Sequence, residues 1–220
     1  MKINKLIIYF RSLIFCLKYL PFDIGIKVPI YIGSKVKIDI DKKSHIQIIG
    51  KVNRGQIRIN ITNGSVGVKS DNKSLICLKE DSRLIFQGKS SFFKGSIIKG
   101  LDCGVISIGD GVTFNKNAFI TCRKKITIGR DCMFGWNCNI RDCDGHDIFD
   151  SNQLINPDKE IEFGKHIWCC ANCSILKGTK IPDGTVIAYG SLVNKKFEDK
   201  CCIIGGHPAR ILKQNIKWIN

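Results

Sequence analysis

Aliphatic or aromatic residues return at every sixth position over the C-terminal half of the chain, and this period restricts the fold more than any other feature. Phe163, Cys169, Ile175, Ile181, Ile187 and Val193 carry it, and four residues after the first five stand Ile167, Cys173, Thr179, Thr185 and Ser191, all apolar or small. Two earlier blocks repeat it at Ile108, Phe114 and Ile120 and at Ile128, Phe134 and Ile140, with Lys124-Lys125 slipping the phase between them. A helix repeats near 3.6 residues and a strand at two, so a period of six fits neither. It fits a solenoid with flat sides: one short strand and one corner per unit, three units to a triangular coil, and the recurring residue pointing into a shared axial core. Ile108-Gly109-Asp110-Gly111 and Ile128-Gly129-Arg130-Asp131 supply residues suited to sharp corners.

The same pattern divides the chain. Residues 101–196 form the regular repeats, and residues 31–100 carry shorter alternating runs such as Lys35 to Ile40 and Leu84 to Phe86, read as irregular coils of the same solenoid. Register is lost between Ile140 and Phe163, where Asp150-Ser151-Asn152-Gln153 and Asn156-Pro157-Asp158 are turn chemistry, so residues 147–160 are expected to protrude as a loop directly after His146. In the tail, residues 197–220, Gly205 to Pro208 reads as a turn and residues 209–219 as a short basic helix. Residues 1–30 hold the apolar stretch LIIYFRSLIFCLKYLPF. Arg11 and Lys18 interrupt it, so no uncharged run reaches the roughly 18 to 20 residues of a spanning helix. It lacks a small-residue cleavage site before Pro21. An amphipathic capping helix is expected, with a peripheral contact to a membrane surface as the alternative.

Composition narrows the partners. Thirty-five basic against 19 acidic residues give a formal charge of +16, which favours anionic partners, but the lysines stand singly or in pairs without a nucleic-acid motif, so no nucleic acid is expected. The twelve cysteines sit in apolar-alternating stretches without structural-zinc spacing, which points to reduced thiols, no metal and a cytoplasmic setting.

The hexapeptide blocks, Asp144-Gly145-His146-Asp147-Ile148, the phrase IWCCANCSILKGTKIPDGTVIAYGSLV and the closing Gly206-His207-Pro208-Ala209-Arg210 together resemble the hexapeptide-repeat acyltransferases. The resemblance is to sugar O-acetyltransferases of the galactoside, maltose, capsule and lipopolysaccharide type, and it covers roughly residues 108–213. It implies an all-β fold, a left-handed parallel β-helix, assembled as a homotrimer with acetyl-CoA bound between subunits. It also implies transfer of an acetyl group to a sugar hydroxyl in bacterial surface-polysaccharide synthesis.

The resemblance carries roles onto particular residues. A sugar hydroxyl needs a base near neutral pKa, and imidazole suits this, so His146 is the expected catalytic base. Asp142 or Asp144 would orient its ring or hold the acceptor, with Asn115 facing it from the adjacent subunit. The backbone N–H of Ala171 would bind the oxyanion. Trp168, Tyr189, Asn194, Lys195, Arg210 and Lys213 would bind acetyl-CoA, whose phosphates attract the cations. Cys170 departs from the family, which has glycine there. Alternatives from other classes are an N-acetyltransferase acting on an amino sugar and a non-catalytic glycan-binding solenoid. A γ-type carbonic anhydrase needs three histidines on a shared metal, and His45, His146, His166 and His207 stand in unrelated contexts.

Overall fold

A computed structural model describes residues 2–61 and 72–219. The chain winds into a solenoid whose three sides are parallel sheets of nine, seven and six strands among the described residues, here the first, second and third side. One circuit runs from Met133–Phe134 on the first side to Asn139–Arg141 on the second and Ile161–Phe163 on the third, then returns to the first at Trp168–Cys169. In the next coil Trp168 pairs with Val186, eighteen residues on, which is three units of six. Inward positions stack on inward positions: Phe134 on Cys169, Ile140 on Ile175, Phe163 on Ile181. Every residue of the six-residue series from Ile108 to Val193 is at most 2% exposed. Phe92, Phe114 and Phe134 stack face to face inside, with ring centroids 4.7 and 4.4 Å apart. Such contacts add about 0.5–1.5 kcal/mol each beyond the area they bury.

Strands before residue 100 lie in the same sheets and in register, Ile38 on Ile76 and Ile76 on Ile98. Looser spacing there is absorbed at the corners, because the inward face needs only alternation within each strand. Corners are made by residues with positive φ. Asn117, Asn137 and Asn172, at φ 58°, 57° and 58°, occupy one of them in successive coils. Asparagine tolerates this left-handed conformation. Their side-chain amides form a ladder, Asn117 donating to Asn137 at 3.1 Å and Asn137 to Asn172 at 2.9 Å.

The phase slip at Lys124-Lys125 has a specific anchor. Asp142 is wholly buried, and its carboxylate accepts hydrogen bonds from the backbone N–H groups of Arg123, Lys124 and Lys125 at 2.8, 2.9 and 2.7 Å. The Cys122 thiol also donates to it, at 3.2 Å. This corrects the assignment of Asp142 to acceptor binding, since its oxygens are committed to a distorted corner and do not face solvent.

Each end of the solenoid carries an element that departs from the coils. At the N-terminal end, helix α1 (Lys2–Tyr19) lies against the first coil, Ser12 Oγ accepting from Ile32 N–H at 2.9 Å while Phe15 and Cys16 are buried. No helix among the described residues is long and apolar enough to cross a membrane. The C-terminal end departs from expectation: in place of a helix over residues 209–219, Ala209–Lys213 is a strand antiparallel to Ile203–Gly206. Helix propensity over so few residues is a weak preference, and the unpaired edge of the first side offers backbone partners that override it. Residues 214–219 then run back along the corners between the third and first sides, Ile216 N–H donating to the Cys201 carbonyl at 2.8 Å and the Trp218 ring stacking on His166 with centroids 3.8 Å apart.

Removing the buried anchor leaves three backbone donors unsatisfied, and each such loss costs about 1–3 kcal/mol. Asp142→Ala is therefore expected to lower stability by about 3 kcal/mol or more in urea unfolding, whereas a residue serving only a substrate would leave the midpoint unchanged.

Candidate active site

A groove of about 490 Å³ opens on the first side, and Asn115, Trp168, Ala171 and Tyr189 all line it, together with Trp136 and Cys170. Four residues expected to serve the reaction thus converge in one place. The parallel register explains how, because Asn115, Gly135 and Cys170 each follow an inward residue of one stacked column, Phe114, Phe134 and Cys169. Lys116, Trp136 and Ala171 come next in the same coils. Gly135 is required by this closeness: a Cβ there would lie 2.5 Å from the Ala171 nitrogen. The Ala171 carbonyl accepts from Gly190 N–H at 3.1 Å, but its own N–H donates to no partner among the described residues. A free backbone donor on a partly apolar wall is suited to an oxygen that develops negative charge. Burial pushes the Cys170 thiol up to about 11, so at neutral pH it lines the groove as an uncharged thiol. The Cys143 thiol, a few residues before His146, is likewise pushed up to about 11 by burial.

His146 lies elsewhere on the same chain, in the exposed segment after the second side. Gly145, at φ 90°, turns the backbone into that segment with open space around it. The loop is a short hairpin, Phe149 and Asp150 pairing with Leu154 and Gln153. Its base is clamped by Asn156, whose amide donates to the His146 carbonyl at 2.9 Å and to Asp144 at 3.0 Å, while its oxygen accepts from Ile148 N–H at 2.6 Å. Lys177 closes the clamp by donating to Asp144 and to the Asn156 carbonyl, the latter at 2.6 Å. The Lys177 ammonium holds the Asp144 carboxyl below its ordinary value. Neither Asp142 nor Asp144 bonds the imidazole of His146, contrary to expectation. Asp144 instead fixes the loop that carries it.

The residues expected to bind the donor divide into three groups. Trp168 and Tyr189 lie in the groove. Arg210 and Lys213 are exposed on the outermost strand of the same side, three strands beyond Trp168. Asn194 and Lys195 line a separate cleft of about 690 Å³ with five other lysines and with Glu160 and Glu162, and Lys177 in that lining also holds the loop that carries His146. Sequence reading missed Asn156, Lys177, Trp136 and Trp218. Asn156 was visible only as turn chemistry before Pro157, and the phase of the repeat, which puts Trp136 in line with Ala171, was the available signal for Trp136. Among the described residues no group of three or more His, Cys, Asp or Glu is placed to hold a metal.

No family model matches the chain. It is 31% identical over 198 residues to a polysialic acid O-acetyltransferase of Neisseria meningitidis, covering 89% of this chain and 77% of that protein. It is 35% identical over 133 residues to a polysialic acid O-acetyltransferase of Escherichia coli O1:K1, covering 59% of this chain but only 43% of that protein. The crystal structure of the polySia-specific acetyltransferase NeuO superposes with a TM-score of 0.56 at 30% identity, covering 84% of this chain and 89% of that one. The chain belongs to the hexapeptide-repeat acyltransferases, the family of these polysaccharide O-acetyltransferases.

The clamp sets the sign of a pH effect. Because the Asp144 pKa is depressed in the folded state, its contribution is present above the ordinary carboxylate range and lost as pH falls through the depressed value. Lys177→Met is expected to return the Asp144 titration, followed by carboxyl NMR, toward the ordinary value and to hasten protease cleavage in residues 147–156.

Proposed function

We propose that the chain is an O-acetyltransferase that moves an acetyl group from acetyl-CoA to a hydroxyl of an anionic surface polysaccharide. The observation that carries this reading is the unpaired Ala171 N–H in an aromatic-walled groove, on a chain whose exposed His146 is held by its own clamp. The relatives named as polysialic acid O-acetyltransferases and the formal charge of +16 support an anionic acceptor. Twelve free thiols suit a reducing compartment such as the cytoplasm.

Acetyl-CoA supplies an activated acyl carbon. In the groove, the indole of Trp168 and the backbone beside Tyr189 would line the pantetheine arm, and Arg210 and Lys213 would face its phosphates. The Ala171 N–H would donate to the acyl oxygen as negative charge gathers there, which is worth most in a site that excludes water. The imidazole of His146 would accept the proton of the attacking hydroxyl and then deliver it to the departing thiolate.

One chain does not bring these groups together, since the groove lies on the first side and His146 follows the second. We infer a left-handed coil and a three-fold assembly, in which the groove of one subunit faces His146 of the next and Asn115 approaches the acceptor. Such a cyclic arrangement repeats one heterologous contact three times and closes. Asn194, Lys195 and the lysine cleft would then lie along the same interface, explaining why donor-binding residues are divided between two parts of one chain.

His146→Ala is expected to lower kcat by about 10²–10⁴ while calorimetric binding of acetyl-CoA is retained. Unchanged transfer in that variant would sink the assignment of the base. Sharing of the site is tested separately with Ala171→Pro, which removes the N–H donor. The two inactive variants, unfolded and refolded together in equal amounts, should recover roughly a quarter of the wild-type activity, since random mixing restores that share of interfaces. No recovery from a correctly folded mixture would place the whole site within one chain.

A further inference from the structure

Helix α1 covers the end of the solenoid with one face and leaves the other unpartnered. Ser12, Phe15 and Cys16 face the first coil and are buried. On the opposite face Leu6, Ile7, Phe10, Ile14 and Leu17 are 57, 54, 53, 68 and 42% exposed. At about 100° per residue these five occupy a stripe roughly 100° wide. Arg11 and Lys18 border the stripe on one side, and Phe22 and Ile26, 74 and 48% exposed, prolong the apolar surface past the end of α1. Isolated exposed apolar residues are ordinary, but a continuous stripe of this kind marks a contact.

Charge identifies the partner. The first 58 positions hold twelve basic residues against three acidic ones, a formal +9 of the chain's +16. Over half of the excess charge therefore lies in about a quarter of the chain, the part that makes the cap and the first coil. A second copy docked on this stripe would bring one strongly cationic end against another. An anionic lipid surface offers acyl chains for the stripe and phosphates for the surrounding lysines and arginines, which is the arrangement of helices that lie in the plane of a bilayer interface.

We propose that the cap end of the solenoid docks on anionic phospholipid membranes, with Leu6, Ile7, Phe10, Ile14 and Leu17 of α1 entering the headgroup boundary. The groove and His146 lie on later coils, so docking would leave them facing the aqueous phase and would favour acceptors still attached to, or made at, the membrane. The docking itself does not depend on the acetyltransferase reading, and its test reads binding alone.

The test is co-sedimentation of the full chain with vesicles of phosphatidylglycerol and phosphatidylcholine, and with vesicles of phosphatidylcholine only. Binding to the anionic vesicles is expected, weakened by salt, with a loss of at least about tenfold for Phe10→Asp combined with Ile14→Asp. Absence of binding by the unmodified protein would overturn the proposal. So would equal binding by the variant, which would assign the attraction to charge spread over the surface. A drop in oligomer mass in the variant without lipid would show the stripe buried between copies, again overturning it. Should the double variant fail to fold, Phe10→Trp serves instead: quenching of its fluorescence by brominated anionic lipid is expected, and no quenching counts against insertion.

Discussion

Hydrogen bonds directed along the solenoid axis tie each coil to the next, and the rest of the structure depends on them. On the first side Thr113 N–H donates to the Cys132 carbonyl at 2.9 Å, Met133 to Ile167 at 2.8 Å, Trp168 to Thr185 at 3.0 Å and Val186 to Cys202 at 2.9 Å. Because the pairing is parallel and in register, a residue that faces inward in one coil fixes what faces inward in its neighbours. The backbone of a corner is thereby copied from coil to coil while its side chains are free to differ. The groove exploits that freedom: equivalent corners carry Asn115-Lys116, Gly135-Trp136 and Cys170-Ala171, giving a polar wall, an aromatic wall and a free donor on one repeated scaffold.

That regularity also decides what the sequence could disclose. Core positions were legible wherever the period of six was strict, since the residue type at Phe163, Ile175 or Ile187 reports its burial directly. The groove was legible through motif order, which put Trp168 and Ala171 in a single coil. Illegible were contacts joining residues far apart in the chain. Asp142 looks like any acidic residue near a histidine, and only the slipped corner eighteen residues earlier explains it. Lys177 and Asp144 are separated by 33 positions, and no local pattern announces that they meet. The tail was misread for a related reason: Ala-Arg-Ile-Leu-Lys favours a helix in isolation, and the sheet edge that makes it a strand is supplied by Ile203–Gly206.

The inserted hairpin shows how a solenoid accommodates departure from its period. Between Arg141 and Ile161 the chain leaves the second side and rejoins the third, yet Ile126 and Ile161 still pair in register across the insertion. The excursion is stabilised at its base, by Asn156 and Lys177, and at the corner beneath it, by Asp142. The arms of the hairpin remain apolar and uncovered on either side of the Ser151-Asn152 tip, with Phe149 61% and Ile155 56% exposed. A loop anchored in this way can hold His146 out in solvent without loosening the coils that carry it.

The antiparallel return of Ala209–Lys213 bears on what the protein avoids. A parallel solenoid ends in rows of unpaired backbone groups, and an uncovered row can accept a strand from another molecule, adding chain to chain into a fibre. Here the outermost strand of the nine-stranded side runs against the direction of the others and exposes Arg210 and Lys213. The other two sides finish in the two-residue strands Leu192–Val193 and Lys180–Ile181, too short to template much pairing. A reversed strand bearing cations at one end and a helix laid across the other keep a shape built for indefinite repetition finite.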